Sequence, residues 1–442
     1  MNIIFKLAEL YKNAPNHLKV ASVAWVTRII TAVIQVFSVR ILISYLGTEL
    51  YAGFAILTSL AGWFALAEFG LGSTLQNYVS EYRVKNKEIE YLYNTVVPGV
   101  FFLFIISIII LLIISIPLQL FLFKNLSSSL FSQPLYITGM IGFFYILTAL
   151  GGIAYRVYYG EQRGYLSNIY PAIGSIISFF LLIMIDALNI YKGSLALALV
   201  VFILPTALTA LYAFYNVFFN NKAISLAKFD KQTAKEIFST AYKFAGFAFM
   251  SASVLQIDYI VMSRVLVPDD ITIYNIISKV FFLIYFVYTA VLMALWPTCA
   301  ELLEKNRIIK VNNLIKKHLF SGIFIVAAGT IFFICTNRLI SNVLSSGKIY
   351  KLPLYTIILF GIYYAFRTWS DTYAIILQSM SKIKIFWIYV PFQGIISFIA
   401  QYTLGNCLGL NGILIGISIS FLATSVWILP LTYYKIIQQR SI

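Results

Sequence analysis

Twelve runs of about 20 apolar residues, parted by short polar stretches, order this 442-residue chain. We place the spans at 21–46, 51–80, 95–122, 134–159, 167–188, 194–218, 242–267, 273–298, 318–337, 353–379, 385–405 and 411–434. At a rise of about 1.5 Å per residue, runs of this length cross a hydrocarbon core of about 30 Å. The pattern predicts an all-α polytopic membrane protein of about 12 transmembrane helices. Residues 1–20 read differently. Ile3, Ile4, Leu7, Leu10 and Tyr11 fall on one side of a helix, which is expected to lie along the inner membrane surface. This start lacks the apolar core and small-residue cleavage site of a signal peptide, so the first span is expected to act as the insertion signal.

The longest hydrophilic segment, 219–241, carries Lys222, Lys228, Lys231 and Lys235. It divides the chain into an N-lobe at 21–218 and a C-lobe at 242–434, followed by a tail at 435–442. The lobes resemble each other. "SEYRVKN" after span two and "AELLEKN" after span eight share Glu, Lys and Asn at an offset of 220. "GSIISF" in span five matches "QGIISF" in span eleven at 219, an offset that also sets Gly193 on Gly412. Six spans per copy is an even number, so both copies enter the membrane from the same side. Such parallel repeats are related by an axis along the membrane normal, and two bundles of this kind can rock between inward-open and outward-open states. That is transporter architecture.

Composition agrees with the spans: 61% of residues are hydrophobic and 11% charged, where soluble domains run nearer 45–50% and 25%. A net charge of +16 would suggest nucleic acid in a soluble chain. With the N-terminus in the cytoplasm, only Lys124, Lys192, Arg338, Lys348 and Lys351 face outward. Six more Lys and Arg lie inside spans, which leaves 21 of the 32 in cytoplasmic segments. That bias puts both termini inside. It also disperses the basic residues over many short loops, so no nucleic-acid partner is expected. No G-x-x-x-x-G-K-[ST] occurs, which excludes ATP hydrolysis on a P-loop. His17 and His318 stand far apart, and Cys299, Cys335 and Cys407 form no C-x-x-C, so neither a metal site nor a cofactor is expected. The outer loops are too short for a large external catalytic loop. The chain reads as a non-enzyme.

The six charges inside spans that can carry the positive side of chemistry are Arg28, Arg40, Arg156, Arg264, Lys279 and Arg367. An arginine at the centre of a membrane helix costs about 2.5–3.5 kcal/mol on insertion scales, less near the ends. Glu68, Asp258, Arg367 and Asp371 sit deepest, too far from either end for easy snorkelling. The others are within a turn or two of an end, where snorkelling and function are both open readings. At about 100° per residue, Thr31, Gln35 and Ser38 project on the side of Arg28, a polar stripe that faces a helix or water. In "YYAFRTWSDTY" Arg367 and Asp371 are spaced i, i+4 behind Tyr363 and Tyr364, with Ser370 alongside. This is either a self-neutralising ion pair or a cationic site whose carboxylate yields to an anionic substrate. Glu68 precedes Gly72 and Gln76 at four-residue steps, and either carries a proton or pairs with an arginine of span one. Asp258, with Ser251 on its face, poses the same choice.

"RIITAVIQVFSVRILISYLGTELYAGFAIL" followed by "AEFGLGSTLQNYVSEYRVKNKE" resembles the opening of the Wzx-type polysaccharide flippases, in the superfamily of the MATE exporters and the lipid II flippase. The arginine-bearing first span, the "LGTELYAG" turn, the F-G-L-G segment, the aspartate-bearing seventh span and the length carry the likeness. The resemblance implies two six-helix lobes in a MATE-like V-shaped bundle with a cationic cavity. It implies transport of an undecaprenyl-diphosphate-linked oligosaccharide, such as an O-antigen unit, from the inner to the outer leaflet of the bacterial inner membrane. A monomer, working beside a polysaccharide polymerase and a chain-length regulator, is expected. On this reading Arg28, Gln35, Arg40, Arg264, Lys279 and Arg367 contact the substrate, because the planar guanidinium fork suits phosphate. Glu68, Asp258 and Asp371 are the candidates for ion coupling. The alternative is a MATE-like cation or drug antiporter working through Glu68 and Asp258. A non-transporting scaffold would not need buried charge in both lobes.

Overall fold

The computed structural model describes residues 16–86, 88–220, 229–305, 307–349, 351–380 and 384–440. The expected surface segment at the N-terminus therefore falls outside the described residues except for its last few positions, as do Lys222 and Lys228. Every regular element among the described residues is helical. The bilayer core offers no water to satisfy backbone N–H and C=O groups, so each span must bond to itself. Among the described residues, ten helical stretches are long and apolar enough to cross a membrane. One of them, Val23–Glu68, joins expected span one to the first part of span two, because helix Asn16–Ser59 is continuous through a bend at Gly47, whose φ of 82° leaves the helical region. The helix Leu354–Ser379, our tenth span, is not among the ten. Its tyrosines, Arg367 and Asp371 dilute its apolar character. The all-helical architecture of about twelve spans stands.

Three spans among the described residues depart from single helices; span twelve is divided at Thr424 into Leu410–Ala423 and Ser425–Arg440. Span two runs through Ala61–Phe64 and a 3-10 turn at Ala65–Glu68, then breaks at Phe69 (φ 47°) and Gly70 (φ 73°) before Leu71–Val84. The break follows from packing: a Cβ on Gly70 would stand 2.3 Å from the Ala241 carbonyl oxygen and 2.7 Å from the Ala245 nitrogen. Only glycine allows both that approach and the left-handed conformation. Span seven is divided at Gln256 into Lys231–Leu255 and Ile257–Val265. On the cytoplasmic side expected for it, Asp230 caps this span by accepting from Gln232 N at 3.1 Å and Thr233 N at 3.0 Å. The Thr233 hydroxyl and these amides hold the Asp230 carboxyl below the usual range.

The joints between helices repeat. Gly47 links spans one and two, and Leu266 ends span seven 219 residues later. Gly160 ends span four as Ser379 ends span ten, again 219 apart. The expected match of Gly193 to Gly412 does not hold. Gly193 (φ 84°) precedes helix Leu195–Phe218, and its counterpart before helix Leu410–Ala423 is Gly409 (φ 59°), 216 residues on, because the second loop is shorter. Gly412 lies inside its helix, pressed against span eleven, where a Cβ would come 1.9 Å from the Leu404 oxygen. Apolar burial drives no association between helices already in lipid, so small residues that admit close backbones take over.

By contacts the chain forms two compact units. The first comprises residues 1–45, 57–121 and 133–249, and the second 46–56, 122–132 and 250–442. The first holds a core that includes Leu75, Leu92, Val96, Ile153, Val157 and Ala213. The second collects the tyrosine-rich faces of spans seven, eight and ten, described next.

Candidate substrate site

Span ten forms one uninterrupted helix, so the i, i+4 spacing of Arg367 and Asp371 becomes a contact. Arg367 Nε lies 3.5 Å from Asp371 Oδ2, with the two side chains 27% and 39% exposed. A pair this open contributes little to stability, about 1 kcal/mol or less. Its surroundings are more specific. The guanidinium carbon sits 4.9 Å from the ring centre of Tyr285 and 5.8 Å from that of Tyr364. Arg367 Nη1 donates to the Tyr363 hydroxyl at 3.4 Å. Tyr285, from span eight, also donates its hydroxyl to Asp371 Oδ2. The aromatic faces and the carboxylate thus hold the guanidinium while leaving part of its donor fork open.

Asp258 completes the cluster. It opens the short helix Ile257–Val265 just after the break at Gln256, where the helix dipole favours a carboxylate. Its Oδ1 accepts from the Tyr259 amide at 2.9 Å and its Oδ2 from the Tyr274 hydroxyl at 2.6 Å. The Tyr274 ring meets Phe360 at 5.0 Å, Phe360 stacks on Phe281 at 5.5 Å, and Phe281 stacks on Tyr364 at 5.4 Å, which joins Asp258 to the surroundings of Arg367. One guanidinium thus has Asp371, Tyr285, Tyr363 and Tyr364 about it, and a second carboxylate, Asp258, is held by Tyr259 and Tyr274 behind the adjoining rings. The sequence pointed to Arg367, Asp371, Tyr363 and Tyr364, but not to Tyr259, Tyr274 or Tyr285, whose facing depends on spans seven and eight. Ser370 turns away and pairs with Ser425 at 2.8 Å. Ser251 and Asp258 lie on separate helices, because span seven is divided at Gln256 between them.

Arg264 and Lys279 belong to the same unit but sit elsewhere on their helices. Arg264 is in the last turn of Ile257–Val265, where a cation complements the helix end. Lys279 is partly buried on the helix Pro268–Glu304.

In the first unit, Arg28 and Arg40 are exposed, Gln35 is partly buried, and all three lie on the helix before the Gly47 bend. The stripe beside Arg28 is not uniformly polar in effect. Thr31 returns its hydroxyl to the Thr27 carbonyl at 2.8 Å, and Ser38 is buried with its Oγ unsatisfied. Glu68 ends the 3-10 turn of span two. A Cβ on Gly72 would stand 2.6 Å from Glu68 Oε2 and 3.0 Å from Arg156 Cγ, so both side chains cover that glycine. The arginine beside Glu68 is thus Arg156 of span four. A sequence reader has no means of pairing these residues, which are 88 apart (156 less 68).

No family model matches the chain. A Yersinia pseudotuberculosis protein provisionally named for O-antigen export is 37% identical over 425 residues, covering 95% of this chain and 96% of the relative. A Salmonella typhimurium protein provisionally named an O-antigen transporter is 36% identical, with 95% and 96% covered. Among solved structures, an inward-facing MATE family multidrug transporter matches with a TM-score of 0.76 at 14% identity, over 95% of this chain and all of that one. The lipid II flippase MurJ matches with a TM-score of 0.66 at 14% identity, over 93% and 87%. The fold is the one these transporters share, and by its relatives the chain belongs to the Wzx-type family of O-antigen transporters.

Proposed function

We propose that the protein is a flippase that carries an undecaprenyl-diphosphate-linked oligosaccharide from the inner to the outer leaflet of the bacterial plasma membrane by alternating access. The observation that carries this reading is Arg367, partly exposed at membrane depth and steadied by tyrosine faces with donors to spare. A diphosphate is the part of such a substrate that a guanidinium fork recognises. Arg28, Gln35, Arg40, Arg264 and Lys279 are further contacts along its path, and the tyrosines offer flat faces to sugar rings. The cluster holds two carboxylates against one guanidinium. An arriving diphosphate adds more negative charge, so Asp258 or Asp371 must gain a proton or metal cation for the anion to stay. That requirement is a physical origin for ion coupling, with Glu68, held beside Arg156, as the acidic group of the other unit.

The test is export of lipid-linked glycan by cells or proteoliposomes carrying span-ten variants at normal expression. Arg367→Ala should abolish export, and Arg367→Lys should keep part of it, because the charge survives and the fork does not. A cation antiporter would reverse the ranking, losing function in Asp258→Asn and keeping it in Arg367→Ala. Native-rate export by Arg367→Ala would sink the proposal.

A further inference from the structure

The second unit contains two pieces of the N-terminal half, residues 46–56 and 122–132. Hydrogen bonds tie them to the C-terminal half. Thr272, fully buried, donates to the Thr48 carbonyl at 2.7 Å, and Asn125 donates to the Arg264 carbonyl at 3.0 Å. Ser129 braces Glu49 at 2.6 Å, joining the two pieces to each other. At the centre, the buried Tyr51 donates its hydroxyl to Asn275 Oδ1 at 2.5 Å, and Asn275 Nδ2 donates to the Tyr259 hydroxyl at 2.5 Å. Asn275 therefore spends both ends of its amide on this bridge.

The bridge ends at the charge cluster. Tyr259 is the residue whose amide holds Asp258 Oδ1. Tyr274, next to Asn275 in the chain, holds Oδ2, and the two tyrosine rings meet edge to face at 5.6 Å. Packed rings join Asp258 to Arg367: Tyr274 meets Phe360 at 5.0 Å, Phe360 stacks on Phe281 at 5.5 Å, and Phe281 stacks on Tyr364, whose ring lies 5.8 Å from the guanidinium carbon. An anion that engages Arg367 strains this packing and shifts the carboxylate. Its two anchors must then shift with it. Hydrogen bonds between buried amide and phenol groups tolerate little displacement, and Asn275, held at both ends of its amide, cannot follow one tyrosine without straining its bond to the other.

We propose that Asn275 and Tyr259 are positioning residues that couple occupancy of the Asp258–Arg367 cluster to release of Tyr51, and with it residues 46–56, from the C-terminal half. The inference rests on the reading of an anionic lipid-linked substrate. Thr272, covered by Thr48, is the natural reporter. In full-length protein with Cys335 and Cys407 replaced by serine, Thr272→Cys is labelled with a membrane-impermeant maleimide in liposomes with or without undecaprenyl diphosphate. Binding of the same lipid is measured separately. In the reporter protein the lipid should raise the labelling rate about tenfold, as expected for a shift between two states. Added Asn275→Leu, which fills the space but bridges nothing, should label at the high rate with or without lipid while still binding it. Lipid binding without any change in labelling, or an Asn275→Leu variant that responds as its parent does, overturns the coupling. If the parent binds no lipid at all, the substrate reading fails instead, and the latch is judged by Tyr51→Phe. That variant keeps the ring stacked on Phe54 and loses only the hydroxyl. Raised basal labelling then supports the latch, and an unchanged rate disproves it.

Discussion

Tyr285 touches both members of the Arg367–Asp371 pair, with its ring under the guanidinium and its hydroxyl on the carboxylate. The two contacts can be separated. Tyr285→Phe removes the hydroxyl alone, leaving Asp371 to lean on Arg367 and occupy more of its fork. We expect a thermal midpoint close to that of the parent, since one hydrogen bond contributes about 1 kcal/mol, but weaker binding of undecaprenyl diphosphate. Tyr285→Ala should lose the cation–π contact as well and weaken binding further. Equal affinity in all three proteins would show that Tyr285 has no part in preparing the arginine. At this scale the sequence revealed the charged partners, because i and i+4 meet on any regular helix. It could not reveal Tyr285, which reaches Asp371 from 86 residues away.

At the scale of elements, the breaks in spans two and seven govern where the acidic groups stand. Glu68 precedes the left-handed pair Phe69–Gly70, and Asp258 follows the break at Gln256. Gly70 and Gly193 both have positive φ, yet a Cβ on Gly70 meets backbone at 2.3 Å while one on Gly193 meets nothing within 4 Å. Gly193→Ala should therefore cost only the left-handed strain, about 1–2 kcal/mol. Gly70→Ala must also push the span-seven helix away and should lower the folded yield sharply. Melting of both purified variants in detergent measures the contrast, and similar midpoints would refute the packing origin of the span-two break. Span centres were readable, but several limits were not: the helix holding span nine runs Ile308–Leu344 against an expected 318–337, and span seven starts at Lys231 against 242, because polar turns extend these helices beyond the apolar run. Nor were the breaks, since Phe69 and Gln256 carry no strong helix-stopping signal and the reason for the first lies in span seven.

For the whole molecule, orientation and path make two predictions. Reporter fusions should place both termini and the 219–241 segment in the cytoplasm, and an external signal near Asn220 would undo the span count. Arg28 and Arg40 lie on the same helix before the Gly47 bend, 12 residues and so about 18 Å apart. Arg28 is nearer the cytoplasm, so Arg28→Gln should weaken capture of the lipid-linked substrate from that side. Arg40→Gln should leave binding nearly intact and slow turnover. Unaltered binding and flipping in both reconstituted variants would leave these arginines as membrane anchors.

The hydrophobic runs alone determined that this chain is a helical membrane protein of about twelve spans, and their polar flanks and motifs led to its family. Both follow from local causes: transfer of apolar side chains into lipid and backbone bonding within each helix. Tertiary structure decided the rest. It chose Arg156 as the neighbour of Glu68, gathered three unforeseen tyrosines around Arg367 and Asp258, and attached residues 46–56 and 122–132 to the second unit. Those outcomes depend on which faces of distant helices meet. Helix–helix packing in lipid is set by small residues and a few polar contacts, and neither leaves a periodic trace along the chain.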